Sequence, residues 1–323
     1  MAEQVFAYIT HKGGVADDTA LELISAAQKI NPDASVTAVV TGAGADLDAV
    51  CNEMASSYKE VWKVDNDAVA YPNAEVIRGV LLNIVPKGSL VIIPHDTFGM
   101  DLGPGLSIKM DVPYVADIVD FEGIDGGNLK TVRQEYSGMA HTHVTCDISA
   151  GAVLTTRPGV FQPDESKSAG GQVVDKSGEA GDFAAKRKYL ETVVAEVGDV
   201  DITKSEVLVS VGRGIEDEDN IEIANELAKA MGADVSCSRP IVDAKWLEKS
   251  RQVGTSGQTV KPKVYMAMGI SGSFQHLGGI KGNPFMIAIN KNPKAPIFQV
   301  ADIGVIADIL EFMPELTAKI SEG

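Results

Sequence analysis

Short apolar runs and one-sided apolar faces alternate along the first third of the chain. Val5 to Ile9 is a continuous apolar run. Ala20, Leu23, Ile24, Ala27 and Ile30 follow at helical spacing behind Asp17-Asp18-Thr19, a capping sequence. Val36 to Val40 reads as the next strand, Ala49, Val50 and Met54 as a helix, and Val61 to Val64 as a strand. Val76, Ile77, Val80, Leu81 and Ile84 mark an amphipathic helix, and Leu90 to Ile93 a fully apolar strand. Apolar strands separated by helices predict a parallel sheet covered on both faces. From Tyr114 to Thr156 strand-like stretches follow one another without a strong helix, around the turn sequence Asp125-Gly126-Gly127-Asn128. They predict an antiparallel extension of that sheet.

The pattern then breaks. Residues 157–182 are polar and hold two prolines, which predicts an extended loop against the first domain. Phe183 to Val197 reads as a helix, with a hinge in residues 190–204. Beyond it the alternation restarts. Val207–Val211, Val264–Met268 and Phe285–Ile289 read as strands, and Ile221, Ala224, Leu227, Ala228 and Met231 share one helical face. Ile306, Ile309, Leu310, Phe312 and Met313 close the chain helically, and no internal repeat is visible. The expected architecture is α/β with two domains, residues 1–194 and 195–323, each built on a mainly parallel, Rossmann-like sheet.

Composition sharpens this picture in three places. The 323 residues carry a net charge of −17, which repels phosphate backbones and argues against nucleic acid as a partner. The basic clusters Lys186-Arg187-Lys188 and Lys261-Pro262-Lys263 are short and isolated, as on a solvated face. The three cysteines, Cys51, Cys146 and Cys237, are far apart and suit a reducing compartment. Met1 to Gln4 lead straight into a strand, without the basic and apolar regions of a secretory signal, and no run approaches the ~18 apolar residues of a membrane span. A soluble protein of the cytoplasm, not inserted in a membrane, is expected.

Several motifs carry little catalytic chemistry. Gly42-Ala43-Gly44 begins like a dinucleotide fingerprint, but Leu47 replaces the third glycine, so it reads as a plain turn. His141 and His143 share one strand face without a third metal ligand nearby. His95-Asp96 follows an apolar strand, where ligands often sit, but no nucleophile motif accompanies it. Gly269-Ile270-Ser271-Gly272 lacks the second glycine spacing of a hydrolase elbow. The C-terminal half differs. Four strand-end loops are rich in glycine, hydroxyls and amides: Gly212-Arg213-Gly214, Ser238-Arg239-Pro240, Gln252 to Gly257, and Gly269 to His276. Glycines allow close backbone approach to an anion, free N–H groups at helix starts bind phosphate, and two arginines add fixed charge. These are parts for gripping a large phosphorylated cofactor, without a general-base pair for substrate chemistry.

The same loops carry a resemblance. Ser238-Arg239-Pro240-Ile241-Val242-Asp243, Gln252-Val253-Gly254, Gly269-Ile270-Ser271-Gly272 with Gln275-His276-Leu277, Ala288-Ile289-Asn290-Lys291, Ala295-Pro296-Ile297-Phe298 and Val300-Ala301-Asp302 are similar, in order and spacing, to the alpha subunit of electron transfer flavoproteins. Val112-Pro113 with Asp117, and Leu154 to Gly159, resemble its first domain more loosely. The resemblance implies a heterodimer with a beta subunit that packs on the first domain, and one FAD in the second. It implies an electron carrier between flavin dehydrogenases, such as acyl-CoA dehydrogenases, and a quinone oxidoreductase or other acceptor. NADH-driven electron bifurcation, with a second FAD in the beta subunit, is a variant of the same reading. By matching position, Arg239 would lie against the flavin ring, Ser256 at its N5 and His276 at its O2 side. Arg213, Ser238, the backbone of Val253, Gly254 and Thr255, and Ser271, Gly272, Ser273, Phe274 and Gln275 would hold ring edge, ribityl and pyrophosphate, with Asn290 and Asp308 at the ribityl–adenosine end. Gln252, Gly257, Gly269 and Ile309 complete the implied cofactor-binding set. Two departures stand out: Thr255-Ser256-Gly257 replaces Gln-Thr-Gly, and Met100 and Gly105 stand where arginines are expected. Two readings from other classes remain. An NAD-dependent dehydrogenase with its own small substrate would need a complete G-x-G-x-x-G and an acid–base pair, and a nucleotide-sensing module would bind its ligand in the first domain.

Overall fold

The computed structural model describes residues 4–136, 139–167, 170–191 and 200–322. The chain divides into two compact units, Met1–Glu191 and Thr192–Gly323.

In the first unit the strands are β1 (Gln4–Ile9), β2 (His11–Lys12), β3 (Val15–Ala16), β4 (Ser35–Gly42), β5 (Glu60–Asp65), β6 (Leu90–Pro94), β7 (Tyr114–Asp125), β8 (Asn128–Glu135), β9 (Ala140–Asp147), β10 (Ala152–Thr156) and β11 (Gln172–Asp175). The helices are α1 (Thr19–Ile30), α2 (Gly44–Met54), α3 (Ala74–Ile84) and α4 (Thr97–Met110). Nine strands form one sheet in the order β11-β5-β4-β1-β6-β10-β7-β8-β9. Every pair from β11 to β7 is parallel, and β7-β8 and β8-β9 are antiparallel. The expected antiparallel extension is therefore present, but β10 returns from it to lie between β6 and β7. The central strands β6 and β10 are buried along their whole length, as a sheet covered on both faces requires. One face packs Leu23, Ala27, Val50 and Cys51 of α1 and α2, and the other packs Ile77, Leu81, Leu102 and Leu106 of α3 and α4. Each buried leucine, isoleucine or valine among them contributes about 1.5–3 kcal/mol.

Three departures from the sequence reading have local causes. The loop expected over residues 157–182 contains β11, which adds a parallel edge strand to β5, with Val173 opposite Val61. Residues 183–191 are not helical. The Glu75 carboxylate accepts the backbone N–H groups of Lys186 and Arg187 at 3.0 and 3.2 Å, and Asn73 donates to the Arg187 carbonyl. These bonds hold the segment to the start of α3 as irregular chain, with Phe183 and Ala185 against the core. The remainder of that expected helix, residues 192–197, lies outside the described residues. Helix α4 gave no helical signal because Gly99, Gly103, Pro104 and Gly105 interrupt it. Close packing demands those glycines: a Cβ on Gly99 would fall 1.9 Å from the Pro94 carbonyl oxygen, and one on Gly105 2.5 Å from the Arg78 guanidinium carbon. The room of a side chain at position 105 is thus filled by an arginine from α3.

The second unit holds β12 (Val207–Val211), α5 (Ile221–Met231), β13 (Asp234–Cys237), α6 (Arg239–Asp243), β14 (Val264–Met268), α7 (Phe274–Leu277), β15 (Phe285–Ile289), β16 (Ile303–Val305) and α8 (Ile309–Glu322). The five strands run β13-β12-β14-β15-β16, all parallel. Val209, Met266 and Ile289 pack with Leu227 of α5 and Met313 of α8 on one face, and Leu208, Tyr265 and Ala288 pack with Val253 and Ile297 on the other. No helix among the described residues is long and apolar enough to cross a membrane.

Candidate cofactor site

In the second unit the strand order reverses between β12 and β14, and a crevice outside the carboxyl ends of strands opens where such a reversal occurs. Here it is a cleft of ≈ 500 Å³, within the usual range of small-molecule sites. Its floor needs backbone against backbone: a Cβ on Gly214 would fall 2.7 Å from the Gly269 Cα, so the loops after β12 and β14 meet only as glycines. A second cradle lies at Gly272, which has φ +84°, and where a Cβ would fall 2.4 Å from the Ile297 nitrogen.

The cleft brings together Arg213, Ser238, Arg239, Gln252, Val253, Gly254, Thr255, Ser256, Gly269, Ser271, Ser273, Gln275, His276 and Asn290. Gly257, Gly272, Phe274, Asp308 and Ile309 are off its lining. Gly257 and Gly272 shape loops behind it, Ile309 is buried in the core, and Phe274 points to solvent. Asp308 is engaged elsewhere: it accepts from the Leu310 N–H at the start of α8 and pairs with Lys291 at 2.9 Å, which also meets Glu216 at 2.8 Å. The Lys291 contact holds the Asp308 carboxyl below the usual carboxylate range. Pro240, Asp243, Ile270, Asn292, Ala295 and Pro296 also line the cleft without having been assigned a role from sequence.

Charge and donors in the cleft are left available. Arg213 is exposed and has no ion-pair partner among the described residues. Arg239 has only a surface contact with Asp243, Nε to Oδ2 at 3.3 Å, both side chains being more than 60% exposed (69% and 62%). Ser238 and Ser273 occupy the residue before α6 and before α7 but make no side-chain cap bond. The N–H groups of Ser271 to Gln275 find no backbone acceptor among the described residues. A run of unanswered donors in a cleft that also holds two cations suits an anionic ligand such as a diphosphate.

His276 is buried, and both ring nitrogens are engaged within the protein: Nδ1 with the Val253 carbonyl at 3.1 Å and Nε2 with the Tyr265 hydroxyl at 2.8 Å. Tyr265 also bonds Ser210 at 2.7 Å. Burial pushes the His276 imidazole down to about 4, so it is neutral at pH 7. A neutral ring facing a carbonyl donates from Nδ1, and the Tyr265 hydroxyl lies against Nε2 while giving its own proton to Ser210. The only sequence signal for Tyr265 was a lone phenol in an otherwise aliphatic strand. Asn290 acts as a strut, donating from Nδ2 to the Ile270 carbonyl at 2.9 Å. Among the described lining residues the single carboxylate, Asp243, is exposed beside Arg239, so these residues assemble no general acid–base pair.

In the first unit His95 bonds the Thr155 hydroxyl and Asp96 caps α4, while His143 pairs with Glu122. Among the described residues no three His, Cys, Asp or Glu side chains group as metal ligands.

Residues 201–281 match the family model of the electron transfer flavoprotein FAD-binding domain, and residues 5–180 that of the electron transfer flavoprotein domain. The chain belongs to the electron transfer flavoprotein family. It is similar to electron transfer flavoprotein subunit alpha of Methylophilus methylotrophus, 34% identical over 316 residues that cover 96% of this chain and 97% of the relative. The subunit alpha of Bacillus subtilis is 30% identical, with 100% and 98% covered, and Protein FixB of Clostridium saccharobutylicum 29% identical, with 98% and 96% covered. It is an alpha subunit, an electron carrier with FAD as its cofactor, and alpha subunits of this family pair with a beta subunit. The cleft suits that cofactor: it offers cations and unanswered N–H groups to an anion, and its glycine cradles admit close approach.

Proposed function

We propose that the cleft at the ends of β12 to β15 holds FAD, with Arg213 and the N–H groups of Ser271 to Gln275 on the diphosphate and Arg239 beside the ring. In this reading Ser238, the loop from Gln252 to Gly257, and Asn290 position the remainder. The heterodimer carries electrons in the cytoplasm between flavin dehydrogenases, such as acyl-CoA dehydrogenases, and a quinone oxidoreductase or other acceptor. The observation that carries it is the meeting, at one strand-order reversal, of two available cations and a run of unanswered donors, without an acid–base pair. FAD supplies the electron chemistry, while the protein supplies grip and a positive field. A fixed guanidinium beside a ring that gains electrons stabilises the reduced forms and raises the potential. Asp308 bears on the cofactor only if its bond to Lys291 opens.

The test is the visible spectrum and flavin content of the chain co-expressed with its beta subunit, before and after stepwise reduction. Oxidised-flavin bands that bleach on reduction and return with an acceptor are expected. One FAD per heterodimer fits a simple carrier, and two fit the NADH-driven bifurcating variant. A colourless complex that takes up no added FAD would overturn the assignment of the cleft.

A further inference from the structure

The loop after Arg251 is tied to itself. The Gln258 N–H donates to the Gln252 carbonyl at 2.6 Å, the Gly254 N–H to the Gln258 carbonyl at 3.2 Å, and the Gly257 N–H to the Gly254 carbonyl at 2.9 Å. Gly254 has φ +143°, and a Cβ on Gly257 would fall 2.3 Å from the Gln252 carbonyl oxygen, so the closure depends on glycine at both points. The Cα of Ser256 is thereby fixed on the cleft wall, and its side chain keeps two freedoms, rotation about χ1 and rotation of its hydroxyl hydrogen. Ser256 and Gln252 both line the cleft, but Ser256 is exposed to it whereas Gln252 is only 4% exposed. The Gln252 amide Nε2 donates to Ser256 Oγ at 2.9 Å. An oxygen that receives this hydrogen must send its own proton elsewhere, and the open side is the cleft.

We infer that Gln252 is a positioning residue, whose buried amide fixes the rotamer of Ser256 and leaves the Ser256 O–H as a donor to the cofactor. Gln252 thus restrains a side chain that, lacking a threonine's methyl, would otherwise turn freely between its rotamers. The inference rests on the proposed placement of FAD in this cleft.

The experiment uses the heterodimer, with FAD affinity read by flavin fluorescence quenching and the midpoint potential of bound FAD by redox titration. Gln252→Met, unbranched and without a donor, and Ser256→Ala should each weaken FAD binding about fivefold, the worth of one hydrogen bond. Both should shift the midpoint potential downward, because a donor to a ring that gains negative charge is lost. The double variant should be no weaker than either single one, since the two side chains act as one unit. Adding Ser256→Thr to Gln252→Met should restore most of the affinity, which a chain merely damaged in folding would not do. Gln252→Asn, which keeps the amide but withdraws it by one methylene, should behave as Gln252→Met. Wild-type affinity and potential in both Gln252 variants, or additive losses in the double variant, would overturn the inference while leaving the cofactor's placement intact. A wild-type heterodimer that takes up no FAD would overturn both.

Discussion

The two sheets share a device and use it differently. Each reverses its strand order beside a strand that runs into a tight turn, between β1 and β6 in the first unit and between β12 and β14 in the second. In the first unit the chain answers its own donors there. Asp96 accepts the Gly99 N–H at 2.7 Å, Asp65 accepts the Gly44 N–H at 3.1 Å, and the hairpin leaving β1 bonds the Thr41 carbonyl through His11. Arg157 is locked to Asp117 by two bonds, at 2.9 and 2.6 Å. In the second unit Ser238 and Ser273 decline to cap, Arg213 is unpaired among the described residues, and Arg239 is only loosely held. The architecture makes a crevice in both places. What distinguishes an anion site is that its helix starts and cations are left unanswered by the chain itself.

The largest effect should come from reversing those cations. Arg213→Glu with Arg239→Glu removes two charge-assisted contacts, each worth about 1.5–3 kcal/mol, and adds repulsion. FAD affinity should fall about a thousandfold or more, measured by titrating FAD into the cofactor-stripped heterodimer. A loss of less than tenfold would show that the cations do not set the second unit apart.

That contrast was half legible in the sequence. The glycine- and hydroxyl-rich loops at strand ends, with Arg213 and Arg239, were visible as a set because β14 and β15 are unbroken apolar runs, and β12 is broken only by Ser210, so that each fixes where its loop begins. Spacing could not show which residues are spent internally. His276 is a cleft residue in position, but its ring serves Val253 and Tyr265, and only the fold puts a phenol from β14 beside it. Asp308 looks free in sequence and is held by Lys291 in space. In the first unit the strands were readable, whereas α4 was not, since its glycines answer to Pro94, Tyr114 and Arg78, neighbours that exist only after packing.

An intermediate effect separates the units by pH. The His276 imidazole in an unfolded chain takes its proton near its ordinary 6.5, and in the folded unit only near 4. Between these values the unfolded state holds more protons, so stability falls as pH drops from 6.5 towards 4, by roughly 3 kcal/mol in all. Glutamine does not titrate there. His276→Gln should therefore cost most stability at pH 7 and progressively less towards pH 4–5, followed by denaturant unfolding at each pH. His95 in the first unit is also pushed down by burial, but the nearby Asp117 charge opposes that shift, and His95→Gln should show a shallower change over the same range. A difference between wild type and His276→Gln that does not vary with pH would mean that the buried ring network is not held in its neutral form.

The smallest effect tests whether the first unit's self-capping matters only to itself. Asp96 accepts the Gly99 N–H at the start of α4, and Asp96→Ala removes that cap at a cost of about 1 kcal/mol. The loss should lie at the low end for a cap, because burial pushes the Asp96 carboxyl above its ordinary range and part of the bond's worth already offsets the cost of a buried charge. Denaturant unfolding should record this modest loss, while FAD stoichiometry stays at the wild-type value and FAD affinity changes by less than about twofold. The cap and the cofactor cleft belong to different units, each with its own core. A tenfold loss of FAD affinity in Asp96→Ala would break the comparison at its root, since the acids that close the first crevice would then be working for the second.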